Sequence, residues 1–109
     1  MNLQLPEAVN TYFAISNGDD PARLATCFHA DATVIDEKRT HQGIEAIVAW
    51  QRDARQAFSY RVEPVDASQR GERLSVTARI VGDFPGSPVL LKHLFALTDG
   101  QIRSLEIAP

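Results

Sequence analysis

The sequence predicts an α+β domain, with helices in the first half of the chain and a curved antiparallel sheet formed mainly by the second half. Three segments between residues 6 and 51 repeat apolar residues at helical spacing, and four segments between residues 59 and 108 read as long strands separated by turn residues. Helices grouped ahead of strands are typical of this class, because one face of the sheet then packs against the helices. The 109 residues suit one domain, residues 1–109.

Each of the three predicted helices has a recognisable start. Pro6 suits the first position of the first helix, which ends within SNGDD, where Gly18 can take the left-handed conformation. Asp20 caps a short second helix that starts at Pro21, and Gly43 precedes the third. The apolar faces consist of Val9, Tyr12, Phe13 and Ser16, then Leu24, Cys27 and Phe28, then Ile44, Ile47, Val48 and Gln51 beside Trp50.

One strand is predicted between the second and third helices, and four strands follow the third. The alternating segment ADATVID spans residues 30–36. Residues 59–68 and 72–84 form two strands joined by a turn in QRGE, and FPGSP forms the next turn. Residues 89–98 and 101–108 are joined by the dipeptide Asp-Gly, which is a strong hairpin signal.

Composition argues against several classes of protein. Eleven Lys and Arg against fourteen Asp and Glu give a net charge of −3, and the basic residues are scattered, so we expect no nucleic-acid-binding face. The segment MNLQLPEAVN has no basic start, and no apolar run approaches the roughly 20 residues of a membrane span. We therefore expect a cytoplasmic protein without a membrane partner.

No signal for a metal or a cofactor is present. Cys27 is the only cysteine, which excludes an internal disulfide and a thiolate zinc site. The three histidines are not at ligand spacing, and neither a glycine-rich phosphate loop nor a nucleophile elbow occurs. We expect chemistry without a cofactor, on a small hydrophobic ligand.

Three stretches, YFAISNGDDPARLATCFHADATVID, HQGIEAIVAW and HLFALTDGQIRSL, resemble the nuclear transport factor 2-like superfamily, in its SnoaL-like and ketosteroid isomerase-like branch. The resemblance covers nearly the whole chain. It implies a cone-shaped fold in which three N-terminal helices pack in a curved, mainly antiparallel sheet. The superfamily includes isomerases, polyketide cyclases, dehydratases and proteins without an assigned activity, so the resemblance does not choose a reaction.

Residue by residue, the resemblance to ketosteroid isomerases implies three catalytic candidates. Tyr12 matches the tyrosine that donates a hydrogen bond to the developing enolate oxygen, and Asp36 matches the aspartate base. Lys92, directly before His93, stands where the family has a protonated aspartate, and Gln51 stands where it has a second tyrosine. Because of these two departures, we do not expect steroid isomerisation.

The alternation of residues along the first strand gives evidence about Asp36 that does not depend on the family resemblance. Asp36 falls on the same strand face as Ala32 and Val34. If that face is the interior, burial among apolar groups disfavours the charged carboxylate and makes it a better general base. The alternative is that the strand has already ended and that Asp36 lies in a solvated turn.

Lys92 interrupts a long apolar run and shares one strand face with Leu90 and Leu94. We expect this face to point inward, with Asp36 as the partner of the ammonium group. The alternative is a surface lysine whose stem covers apolar neighbours. An inward Lys92 leaves the opposite face outward, with Val89, Leu91, His93, Phe95 and Leu97 exposed, which predicts a homodimer that covers it.

The remaining pocket candidates are substrate-binding residues, and each also has an ordinary structural explanation. Tyr12 and the aromatic candidates could serve only as core, and His41 is expected in a loop, where histidines often have no role. Two functions stay open: an acid/base enzyme of isomerase, cyclase or dehydratase type, or a non-catalytic ligand-binding or dimerisation module. The substrate-binding candidates are Phe28, Trp50, Gln51, Phe58, His41 and Leu94.

Overall fold

The computed structural model describes residues 3–109, so that Met1 and Asn2, the first two residues of the segment without a basic start, lie outside the described residues. Its helical elements are α1 (Glu7–Ser16), a 3₁₀ turn (Pro21–Arg23), α2 (Leu24–Cys27) and α3 (Ile44–Ala57). Its strands are β1 (Phe28–Asp36), β2 (Arg39–Gln42), β3 (Tyr60–Arg70), β4 (Arg73–Gly82), β5 (Val89–Thr98) and β6 (Gln101–Ala108).

The six strands form one sheet in the order β2-β1-β6-β5-β4-β3. All neighbours are antiparallel except β1 and β6, which run parallel. The helices pack on one face of this sheet, and the core lies between the two layers. This is the α+β arrangement that the order of helical and alternating segments predicts.

Three elements differ from the prediction. The second helix is only a 3₁₀ turn followed by one α-helical turn, and β1 begins earlier than predicted, at Phe28. Strand β2 was not predicted, because its four residues show no alternation and pair only with β1 at the edge of the sheet. His41 therefore lies on a strand opposite Val34, and not in a loop.

The orientation of β5 is opposite to the prediction. His93, Phe95 and Leu97 are buried against the helices, whereas Lys92 and Leu94 lie on the outer face of the sheet, where Leu94 is 41% exposed. The physical reason is that burying the ammonium group of Lys92 without a partner is costly. The other face instead buries two large apolar side chains and a neutral imidazole.

Among residues 3–109, no helix has the length and apolar character needed to cross a bilayer.

The β1–β2 turn carries backbone strain beside Asp36. Asp36 pairs with Arg39, so Glu37 and Lys38 form a two-residue turn, and both have positive φ, 52° and 66°. Hairpins with this geometry prefer Asn-Gly, because a side chain raises the energy of the left-handed conformation.

We therefore predict that Lys38→Gly increases the free energy of unfolding by about 0.5–1 kcal/mol. Glycine adopts the left-handed conformation without the steric cost that a side chain adds, and part of this gain is lost because glycine has more conformational entropy in the unfolded chain. Urea denaturation measures the change. Lys38→Ala is the matched control and should give no such gain, because it keeps the Cβ atom. A Lys38→Gly protein no more stable than Lys38→Ala would contradict the prediction.

Candidate functional site

A cavity of about 170 Å³ lies between the helices and the inner face of the sheet. Side chains from α1, α3, the β1–β2 turn and strands β3 to β6 meet there. Most of its wall is aromatic or aliphatic, with a few polar groups, which is typical of small-molecule sites. Its lining consists of Tyr12, Ser16, Asp36, Glu37, Trp50, Gln51, Ala54, Tyr60, Val62, Ile80, Phe84, Leu91, His93 and Ile107.

Asp36 reaches this cavity from the end of β1. The strand alternation holds, because Ala32 and Val34 on the same face are fully buried. Its Oδ2 atom accepts a hydrogen bond from Trp50 Nε1 at 3.0 Å. Within residues 3–109, no hydrogen bond is made by Oδ1. Trp50 thus fixes the carboxylate through one oxygen and leaves the other for a ligand.

Two tyrosines provide hydroxyl groups in the cavity. Burial raises the pKa of Tyr12 well above its ordinary value, and the hydrogen bond with Ser16 offsets only part of this effect. Burial also raises the pKa of Tyr60. Both side chains therefore stay protonated at neutral pH and can donate hydrogen bonds. The Tyr12 ring also stacks parallel to Trp50, at 6.5 Å between ring centroids.

His93 is the cavity group that the sequence interpretation placed on the wrong side of the sheet. It is 3% exposed, and its ring lies 5.3 Å from that of Phe13 and 6.2 Å from that of Tyr12. Burial lowers the pKa of His93 to about 4, so its imidazole is neutral at neutral pH. Nδ1 lies 3.4 Å from the Leu91 carbonyl oxygen. The tautomer that donates this N–H leaves Nε2 as an acceptor.

Polar contacts at the C-terminus of α1 fix the cavity walls relative to one another. Arg55 Nη1 on α3 donates to the carbonyl oxygens of Ser16, at 2.6 Å, and Ile15, at 3.3 Å. The side chain of Asn17 donates to Val62 O at 2.8 Å and accepts from Val62 N at 2.7 Å. It thus makes the two hydrogen bonds with the backbone of β3 that a neighbouring strand would make. The Arg55 contact gives the Ser16 carbonyl at the end of α1 a partner, and the Asn17 contacts join the end of the helix to the backbone of β3.

A groove of about 310 Å³ adjoins the cavity. The two linings share Asp36, Glu37, Trp50, Ala54 and Tyr60. His41 lines the groove with its ring 6.0 Å from that of Trp50. The groove also contains Phe58, which is 43% exposed at the end of α3, and Arg39 and Asp53.

The structure thus brings together Asp36 and Tyr12 with Trp50 and Gln51, whose Nε2 donates to Ser16 Oγ at 3.2 Å. Other candidates do not join them. Phe28 is 1% exposed and packs in the core against Tyr12. Lys92 and Leu94 lie on the outer face, so the expected pairing of Lys92 with Asp36 is wrong.

Tyr60, Glu37 and Ser16 line the cavity but were not singled out from the sequence. Ser16 falls on the predicted helix stripe, which is the one sequence signal for any of them. A separate feature is the lack of a metal site: among the described residues, no group of three His, Cys, Asp or Glu is placed to hold a metal ion.

An open sheet curved around three helices, with a cavity between the layers, defines the nuclear transport factor 2-like fold and confirms the predicted cone. The chain belongs to the SnoaL-like domain family, which matches residues 9–105. No curated protein matches it.

Three solved structures illustrate the similarity. A candidate polyketide cyclase of Sinorhizobium meliloti is 43% identical over 94% of each chain, with a TM-score of 0.90. A Catenulispora acidiphila protein with a ketosteroid isomerase-like fold, in complex with trimethylamine, is 25% identical over 97% of this chain and 87% of that one, with a TM-score of 0.84. A candidate SnoaL-like isomerase of Agrobacterium tumefaciens is 22% identical over 92% of each chain, with a TM-score of 0.77.

The burial of His93 generates a prediction about pH. The unfolded histidine binds a proton near pH 6.5, whereas the folded one stays neutral down to about 4. The contribution of His93 to the free energy of unfolding is therefore fully present above pH 6.5. It decreases as the pH falls from 6.5 to about 4, by about 3 kcal/mol in total, since each pH unit in this window corresponds to 1.36 kcal/mol.

His93→Gln should remove this part of the acid dependence, as measured by urea denaturation of parent and variant across the window. His41→Gln, which changes a half-buried histidine outside the cavity, is the control and should keep the dependence of the parent. Parallel stability curves for parent and His93→Gln would contradict the prediction.

Proposed function

We propose that the protein is a cytoplasmic, cofactor-independent enzyme that acts by general acid/base chemistry on a small hydrophobic carbonyl compound. The observation that carries the proposal is the Asp36 carboxylate, fixed by Trp50 in an aromatic cavity that also holds the Tyr12 hydroxyl. Family membership and the 43% identity to a candidate polyketide cyclase support it.

In the proposed reaction, Asp36 takes a proton from the carbon next to the carbonyl group. The electron pair of the broken C–H bond moves toward the carbonyl oxygen, where Tyr12 donates a hydrogen bond to the developing charge. The protonated Asp36 can return its proton to a different carbon, which is isomerisation. The same enolate can instead attack a second carbonyl group, whose oxygen takes the proton from Asp36; this is cyclisation. It can also expel a hydroxyl group from the neighbouring carbon, which leaves as water with the Asp36 proton; this is dehydration.

His93 replaces Lys92 as the third polar group in this proposal. A neutral imidazole carries no charge to neutralise the Asp36 carboxylate, so it leaves Asp36 free to act as a base. The acceptor Nε2 of the tautomer described above can bind a hydroxyl group of the substrate. A substrate with both a carbonyl and a hydroxyl group would use both contacts.

The size of the cavity bears on the substrate. Its volume of about 170 Å³ is close to the ~150 Å³ of an engineered cavity that holds one benzene molecule. We propose that one ring or a group of similar size enters the cavity, while any further part of the substrate lies in the groove beside Phe58 and His41.

The second candidate function is ligand binding without turnover. It is favoured by the similar Catenulispora acidiphila protein, which was solved in complex with trimethylamine. The cavity of this chain serves both candidates, and a variant that keeps binding but blocks proton transfer separates them.

That variant is Asp36→Asn, which preserves size and the hydrogen bond from Trp50 but accepts no proton at working pH. We expect turnover of an identified substrate to fall by about 10²–10⁴-fold, the usual contribution of a positioned general base, with little change in binding. Steady-state kinetics and direct binding measurements check the two parts.

Asp31→Asn is the matched control, because Asp31 is an exposed carboxylate on the same strand. It should leave turnover unchanged. Equal turnover by the parent and Asp36→Asn would remove Asp36 from the chemistry, and saturable binding of a carbonyl compound with no turnover by the parent would favour the second candidate.

We also propose a homodimer, formed through the outer face of the sheet. Leu90 and Leu94 are 59% and 41% exposed there, and Ile35 and Ala96 line a depression of about 390 Å³ beside Leu94. Arginines and Glu106 occur around the same depression, so two copies related by a two-fold axis could pair opposite charges. This outer face exposes fewer apolar side chains than the sequence analysis expected, because His93, Phe95 and Leu97 are buried on the inner face.

Light scattering should give a mass close to twice the 12.0 kDa of the chain, and Leu94→Glu should reduce it to the mass of one chain. A carboxylate at the centre of the interface would have to be desolvated, which opposes association. Ala14→Glu, exposed on α1 at the other side of the molecule, is the control and should stay dimeric. A parent that scatters as a single chain would contradict the dimer.

A further inference from the structure

The ionised side chains that line the cavity are acidic, whereas Arg55 does not line it and donates instead to the Ser16 and Ile15 carbonyl oxygens. Asp36 and Glu37 line the cavity, and within residues 3–109 no lysine or arginine does. The adjoining groove adds Arg39 and Asp53, and Asp53 lies 3.8 Å from Arg52 Nε in an ion pair. Among the described residues, Asp36 and Glu37 are the groove carboxylates outside any ion pair, and Arg39 is the cation beside them. A ligand thus meets net negative charge at the groove and in the cavity, where aromatic walls reduce screening by water.

This charge is not a property of the whole surface. The two depressions on the outer face of the sheet are lined by Arg70, Arg73 and Arg103, against Glu106 and Asp31. The outer face therefore carries three arginines, whereas among residues 3–109 Arg39 is the one lysine or arginine that lines the groove and none lines the cavity.

The cavity walls present aromatic rings to the same space. Tyr12 and Trp50 are parallel to within 3°, and Tyr60 and Phe84 complete the lining. The faces of aromatic rings attract cations, and a set of such rings is a recurring way to bind methylated ammonium groups. His93 does not oppose a cation, because burial keeps it neutral.

Glu37 is placed so that its negative charge can attract a cationic ligand, while Asp36 transfers protons. It lines both the cavity and the groove, and it is exposed at the mouth. Its φ of 52° is unfavourable for a residue with a side chain, so turn preference does not explain a glutamate there.

We propose that the site selects a compact ligand with a positively charged nitrogen, a protonated amine or a quaternary ammonium group, held by Glu37 and the aromatic rings. The inference rests on the proposed function in one respect, which is that both place the ligand in this cavity. It narrows the substrate to carbonyl compounds that carry such a nitrogen and excludes carboxylates and phosphates from the cavity. The cation also stabilises the negative charge that develops when Asp36 removes a proton.

Three probes of nearly equal shape test the proposal: choline, its neutral carbon analogue 3,3-dimethylbutan-1-ol, and the anion 3,3-dimethylbutanoate. Trp50 is the only tryptophan of the chain and lines the cavity, so its fluorescence reports binding directly. We expect choline to bind at least about tenfold more tightly than the neutral alcohol, from charge and cation–π attraction together, and the anion to bind most weakly. Added salt should weaken choline binding only.

Glu37→Gln should weaken choline binding by about threefold or more, the size expected for an exposed charge, and should leave the neutral alcohol unchanged. Glu72→Gln makes the same charge change in the exposed β3–β4 turn, outside the cavity, the groove and the proposed dimer face, and is the matched control. Equal affinity for choline and the alcohol, or no saturable choline binding, would overturn the proposal.

These measurements need no turnover, so their failure is distinct from failure of the proposed enzyme function. A protein that turns over a neutral carbonyl compound and is indifferent to choline would keep the function and lose the inference.

Discussion

The arrangement of the site depends on how the C-terminus of α1 is held. Arg55 of α3 and Asn17, which pairs with Val62 of β3, join three elements at one point. α1 contributes Tyr12, α3 contributes Trp50, and β3 contributes Tyr60. Because the contacts satisfy the Ser16 carbonyl and the backbone of Val62, the three walls cannot shift independently without breaking these part-buried hydrogen bonds.

The same frame explains how a carboxylate is tolerated in an aromatic cavity. Asp36 ends a strand whose inward residues are buried, and the indole N–H of Trp50 satisfies one of its oxygens. Asp36 is itself only half-buried and lines a cavity large enough for a ligand. A charged group in this setting serves binding or chemistry better than it serves stability.

Much of the fold could be predicted from periodicity, since the long helices and strands repeat their buried residues at fixed spacing. Alternation along β5 divides its residues into two faces but does not say which face is inner. The comparison with a related family placed Lys92 inside, whereas the solvation of its ammonium group kept it outside and put His93 in the cavity. The short edge strand β2 escaped prediction because it shows no pattern and its turn lacks Asn-Gly.

For the site, Asp36, Tyr12 and Gln51 could be anticipated from the family resemblance together with the periodicity of their elements, and Trp50 as a large side chain beside the stripe of α3. Tyr60 and Glu37 could not, since their membership depends on how distant segments come together. The identity of a ligand depends on the summed charge of such neighbours, which becomes visible only in three dimensions.

The position of β6 has a consequence for the order of folding. β6 lies between β1 and β5, and its parallel pairing with β1 joins segments that are about 70 residues apart in sequence. The hairpin that carries Asp36 therefore cannot join the strand that carries His93 until β6 is in place. Before then, the inner edge of β1 is an unpaired strand edge, open to pairing with another chain. A ribosome-bound chain that still lacks β6 would have its two halves of the site on separate pieces of sheet.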